Sequence, residues 1–191
     1  MSTGAKKLWL LRHAPVIAEP GLCYGATDLE AEAEATLAAA QRIAPLLPTG
    51  IALRSSPLRR CVALADAIAA LRPELTVQHD ARLAEMSFGA WEGRPWSAIA
   101  REEFEAWTGN FADGVAGANG ESVRAFMHRA AAAHDEWLSG EGDALWVTHA
   151  GVLRAVTLLQ RGIRCPDTAA DWPAGELAFG GWLTFERPSA G

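Results

Sequence analysis

The sequence predicts an α/β protein, a three-layer α/β/α arrangement around a mostly parallel central sheet. Three observations predict it. Leu8–Leu11 is a short, wholly apolar run that stops at Arg12-His13. Such a run reads as a strand buried on both faces, central in a parallel sheet. Ala144–Thr148 repeats the pattern, ends at His149, and passes through Ala150-Gly151 into a second apolar, helix-like stretch. Between the two, helical periodicities alternate with short strand-like runs, the order that builds parallel sheets.

Composition sets the outer bounds. A chain of 191 residues, 50% of them apolar, suits one domain over residues 1–191 with a sizeable core. No uninterrupted apolar run reaches the roughly 18 residues that a membrane span needs. The basic start, Met-Ser-Thr-Gly-Ala-Lys-Lys, is followed by an apolar run too short for a signal-peptide core. Cys23, Cys61 and Cys165 form no C-x-x-C pair, and an odd number fits a reducing, cytoplasmic setting. A net charge of −6 argues against nucleic-acid binding through a broad basic face. It leaves room for a small phosphate ester, which needs only a few local arginines.

The elements follow in order. Residues 14–28 form a loop rich in Pro and Gly, and Ala14 is held extended because Pro15 follows it. Residues 29–47, rich in Ala and Glu, are predicted helical, with Glu30, Glu32 and Glu34 on a solvated face and Pro45 and Pro48 ending the helix. Residues 51–53 make a short strand. Ser55-Ser56-Pro57 then opens a helix, with Ser56 as N-cap and Pro57 at the first position. Its apolar stripe is Leu58, Cys61, Leu64, Ala65 and Ile68, and Arg72-Pro73 closes it. Arg60 falls in the first turn, where the helix dipole disfavours a cation. An anion held between the two would reverse that penalty. Arg59 reads as a surface charge. Residues 76–79 suggest another strand, with His79 structural.

The segment at about 91–138 carries Trp91, Trp96, Trp107 and Trp137, half of the eight Trp. It reads as helices broken by a loop at 114–120. It is expected to pack as a helical insertion, a lid over the C-terminal edge of the sheet. Val123, Phe126, Ala130, Ala133 and Trp137 form its buried stripe, with His128 and His134 facing solvent. Finally, residues 177–179 and 182–185 flank Gly180-Gly181 and read as a closing β-hairpin. An apolar patch on that hairpin could pair two copies as a homodimer.

Ligands of open α/β sheets bind beyond the carboxyl ends of the strands. Two strands that each deliver a His to that edge, one beside Arg12, make a plausible anion site. The alternative is that these side chains simply reach water. Arg12-His13, Ser55-Ser56-Pro57-Leu58-Arg59-Arg60, Leu83-Ala84-Glu85, Phe88-Gly89-Ala90-Trp91-Glu92-Gly93 and Val147-Thr148-His149-Ala150-Gly151 resemble, in order, the motifs of the histidine phosphatase superfamily, phosphoglycerate-mutase-like branch. Ala14 stands where that family carries Gly. Residues 21–29, with Tyr24-Gly25 and Thr27-Asp28, are most similar to the α-ribazole phosphatases of cobalamin synthesis.

The resemblance implies phosphate monoester hydrolysis through a phosphohistidine. His13 would be the nucleophile, Glu85 the proton donor, and Arg12, Arg60 and His149 would surround the phosphoryl oxygens. Tyr24 and Gly25 would contact substrate, although loop packing accounts for Tyr24 equally well. No metal or other cofactor is implied. Four other readings stay open: a broad-specificity small-molecule phosphatase, a mutase-like phosphoryl transferase, a non-catalytic phosphate-ligand binder, and a metallohydrolase using His13, His149 and Glu85.

Overall fold

The computed structural model describes residues 6–175 and 177–187, so of the basic start Met1–Ala5 lies outside the described residues, while Lys7 opens the first strand. Five strands, β1 (Lys7–Arg12), β2 (Ala52–Ser55), β3 (Val77–His79), β4 (Ala144–Thr148) and β5 (Trp182–Glu186), form one sheet in the order β3-β2-β4-β1-β5. Only the β1–β5 pair is antiparallel.

Alternation across the strands divides the core into two layers. Leu11, Leu53, Leu145 and Val147 pack against α1 (Ala33–Ile43) and α2 (Arg59–Leu71). Leu8, Leu10 and Trp146 pack against α4 (Val123–Ser139) and α5 (Ala150–Gln160). The three-layer α/β/α fold is therefore present. The helix after β1 and the helix after its neighbour β4 lie on opposite faces. A crevice consequently opens at the carboxyl ends of these two strands, the usual ligand position in such sheets. No helix among the described residues is long and apolar enough to cross a membrane.

Several elements differ from the sequence expectation. Helix α1 begins at Ala33, because residues 29–32 are held extended against the loop after β1. Ile17 N–H donates to the Glu30 carbonyl at 2.9 Å and Glu32 N–H to the Pro15 carbonyl at 2.8 Å. Ala14 is fully buried, and its φ is not positive, as the following proline requires. Helix α2 begins only at Arg59, with Leu58 at its cap position and no side-chain cap, while the Ser56 hydroxyl accepts from Leu58 N–H at 3.3 Å and from His149 at 2.8 Å.

Of the Trp-rich segment, α3 (Arg101–Gly109) and its flanking turns lie toward the carboxyl edge. Helix α4 instead packs in the layer beneath the sheet, through Phe126, Met127 and Ala130. His134 is buried there rather than solvated, with its Nε2 2.9 Å from the Gln160 amide nitrogen. His128 is exposed.

Residues 177–179 form no hairpin. β1 needs a partner on the side that β4 leaves open, and β5 fills it in register with Leu8 opposite Phe185. The preceding segment turns across the carboxyl edge instead. There the Gly180 N–H meets the carbonyls of Arg12 and His13 at 3.2 and 3.1 Å.

Candidate active site

Register alone assembles the centre. Arg12 lies opposite Thr148, and Ser55 opposite Val147. The residues that leave β1, β4 and β2 are therefore His13, His149 and Ser56, side by side. Two backbone bonds extend the ladder to hold them, His13 N–H to the Thr148 carbonyl at 3.0 Å and Ser56 N–H to the Val147 carbonyl at 2.9 Å. The two imidazole centroids are 5.2 Å apart.

Hydrogen bonds fix both tautomers. His13 Nδ1–H donates to the Ala14 carbonyl at 2.7 Å, which leaves the lone pair on Nε2. Arg60 Nε–H donates to His149 Nδ1 at 3.2 Å, so His149 carries its proton on Nε2 and donates it to Ser56 Oγ at 2.8 Å. The Cys61 sulfur lies 3.4 Å from the same Nε2, its thiol pushed up by burial.

Both imidazoles are held neutral. Burial lowers the His13 pKa most, with Arg60 and Arg12 adding to it against the Ala14 bond, to about 3. Burial, then Arg60 and His13, hold His149 well below the ordinary value.

This has a stability consequence. Above pH 6.5 the rings are neutral whether the chain is folded or not. Below it the unfolded chain takes up protons that the native site refuses, so stability falls with pH until the folded pKa is reached. Each such His contributes a slope of about 1.4 kcal/mol per pH unit. Urea unfolding should therefore show a loss of about 2–3 kcal/mol between pH 7 and pH 5.5, and His13→Gln should remove about half of it.

Arg60 is the centre's most enclosed charge, with no exposed surface. Besides His149, it donates to the Gly25 carbonyl at 2.6 Å and the Thr27 carbonyl at 2.7 Å. Three of its five N–H donors are thus engaged, and among the described residues no carboxylate pairs with it. The loop it holds is gripped from the other side by Glu92. That carboxylate accepts from the N–H groups of Ala26 and Phe88 at 2.9 Å and from both the N–H and the hydroxyl of Thr27. Burial works to raise the Glu92 pKa, and these donors outweigh it, holding the group below the ordinary carboxylate range.

Tyr24 rides on this loop with its ring 5.3 Å from the Arg60 guanidinium. Gly25 is buried, and a Cβ there would overlap the Met86 carbonyl and press on Phe88. Its smallness serves the close approach of two loops.

Glu85 sits against the first turn of α5. Its Oε2 accepts from Gly151 N–H and its Oε1 from Met86 N–H, each at 3.0 Å. Arg129 braces the segment that carries it. One guanidinium nitrogen donates to the carbonyls of Arg82 and Ala84, the other to that of Glu85, while Glu121 pairs with Arg129 at 2.7 Å.

Arg12 closes the other side. Its Nη1 donates to the Leu177 carbonyl at 2.7 Å, and its guanidinium lies 3.7 Å from the Phe179 ring centroid. Arg12, His13, Arg60, Glu85, His149, Tyr24 and Gly25 are thus all brought to one edge of the sheet.

Four contributors were not legible as site residues. Ser56 reads as an N-cap and Phe179 as a strand residue, while Gly151 and Arg129 act only through contacts that cross the chain. Among the described residues, no three of His, Cys, Asp and Glu gather into a set that could hold a metal ion.

Comparison with known proteins bears on the family and the fold. No curated protein matches the chain in sequence. Among solved structures, an Escherichia coli K-12 protein proposed to be an alpha-ribazole-5'-P phosphatase is 27% identical, with a TM-score of 0.79 over 97% of this chain and 92% of its own. A mycobacterial glucosyl-3-phosphoglycerate phosphatase is 25% identical, with a TM-score of 0.79 over 94% and 89%. A Thermus thermophilus protein is 28% identical, with a TM-score of 0.70 over 93% and 92%. The profile of the histidine phosphatase superfamily, branch 1, matches residues 8–169, and the chain belongs to that family.

Proposed function

We propose that this protein is a metal-independent phosphatase that hydrolyses small phosphate monoesters through a phosphohistidine on His13. The observation that carries the reading is a fully buried Arg60 guanidinium with no carboxylate partner among the described residues, set beside two neutral imidazoles. A buried cation without a counter-charge is costly, and a bound phosphate offsets the cost.

The His13 Nε2 lone pair forms the N–P bond as the ester P–O bond breaks. Glu85 gives its proton to the departing alcohol oxygen. Water then attacks phosphorus, Glu85 takes the proton from it, and the N–P bond breaks to release inorganic phosphate. Arg12 and Arg60 supply positive charge where the phosphoryl oxygens gather it, the largest single term in such reactions. His149 anchors Arg60 beside the centre through the bond it accepts from Arg60 Nε–H.

The substrate proposed first is α-ribazole 5'-phosphate. Support comes from Tyr24-Gly25 with Thr27-Asp28 and from the likeness to the Escherichia coli protein. The test is turnover of that ester beside sugar, nucleotide and glycerate phosphates, with excess chelator present. The expected result is a kcat/KM preference of about 100-fold for the ribazole ester, unaffected by chelation. Equal rates across the panel would keep the mechanism and remove the substrate. Activity lost to chelator and restored by zinc or manganese would replace the mechanism.

A further inference from the structure

A cavity of about 430 Å³ opens at the carboxyl edge, with Glu85, Ala150 and Gly151 in its wall. The rest of the wall is dominated by rings. Phe88 meets Trp107 edge-on at 6.4 Å, Trp107 meets Phe111 at 5.3 Å, and Trp172 joins Phe111 at 6.0 Å and Phe126 at 6.3 Å. Among the described lining residues, Thr108 and Arg154 are the only polar or charged side chains apart from Glu85 that are not aromatic.

Position and chemistry of this cavity point the same way. The group that gives a proton to the leaving oxygen must touch that oxygen, so the alcohol part of a substrate lies on the Glu85 side of phosphorus. The cavity that contains Glu85 in its wall is therefore where that part goes. A sugar placed there would press several hydroxyls against ring faces with almost nothing to bond them, whereas a flat apolar ring would be enclosed edge and face. The size lies within the range of small-molecule sites. A closed structural core would not leave such a space, nor leave Trp96 and Phe104 partly exposed at its rim.

We infer that this cavity is the leaving-group subsite and that it selects phosphate monoesters whose alcohol carries a flat, largely apolar ring system, with Trp107 and Trp172 as specificity-determining residues. The inference rests on the proton-donor role proposed for Glu85. It is wider than any one substrate.

A matched pair of esters tests it. 2-(2-Naphthyl)ethyl phosphate and 2-hydroxyethyl phosphate both release a primary alcohol, so the chemistry at the leaving oxygen is nearly the same. The expected ratio of kcat/KM is about 100-fold or more in favour of the naphthyl ester. Trp107→Ala and Trp172→Ala should each cut that ratio about tenfold, mainly through KM for the naphthyl ester. Because the ratio is taken within one preparation, partial loss of folded protein cancels from it.

A ratio near one, with both esters turned over in a His13-dependent way, overturns the inference and leaves the phosphatase reading standing. A high ratio that neither tryptophan variant moves overturns the assignment to this cavity. Turnover of neither ester overturns both readings.

Discussion

Replacing His13 with Ala is expected to lower kcat/KM for every ester the protein hydrolyses by about 10⁴-fold or more. No second group can take over. His149, the other imidazole at the edge, has one ring nitrogen engaged by Arg60 and the other by Ser56. Cys61 is fully enclosed, and burial raises its pKa, so the thiolate is not accessible as a substitute nucleophile. Rapid acid-free quenching of the wild type with ³²P-labelled substrate should trap label on protein that is stable in base and lost in acid. The variant should trap none. Retention of activity within about tenfold of wild type would place the nucleophile elsewhere.

The second large effect comes from a residue with no functional group. A Cβ at position 151 would overlap the Glu85 carboxyl and come within 3.2 Å of the Phe126 ring. What it overlaps is the end of a flexible side chain, so the helix can stay and Glu85 must move. Gly151→Ala is therefore expected to reduce kcat by about 10²–10³-fold, comparable with Glu85→Gln. Ala in the first turn of α5 is a better helix residue than Gly by about 0.5–1 kcal/mol, so the melting temperature should hold. Activity unchanged in Gly151→Ala but lost in Glu85→Gln would mean that the carboxyl works from another position.

How much of this was readable beforehand depended on the range of the interaction. β1 and β4 announce themselves because burial on both faces leaves no polar residue to interrupt them, and each ends on a His. The stripe of α2 was legible for the same local reason, periodicity. The start of α2 was not, because Ser56 stays outside the helix, where its hydroxyl meets both Leu58 N–H and, across the sheet, His149. The hairpin at 177–185 failed similarly. Alternation and a Gly pair are local signals, while the vacant edge of β1 that captures β5 is a property of the whole sheet. His134 was placed on the solvent side of its helix, yet it is buried and Gln160 from the next helix meets its ring. In the centre, the residue types that carry charge were visible. The roles of those that set their positions, Gly151, Arg129 and Glu92, were not, because their partners lie far along the chain.

The strand order also dictates when the site can come into being. β1 carries Arg12 and His13 and is made first, but its only neighbours are β4 and β5, which are made last. β2 in turn reaches β1 only through β4. A growing chain therefore displays an apolar strand with no ladder to join until β4 has been synthesised, an interval on the order of ten seconds at ribosomal speeds. The sheet closes around β4 as a late, long-range event, the slow kind of folding step. Until then no partial product has a catalytic centre, and the strand that bears the nucleophile is the part of the nascent chain most in need of protection from wrong partners.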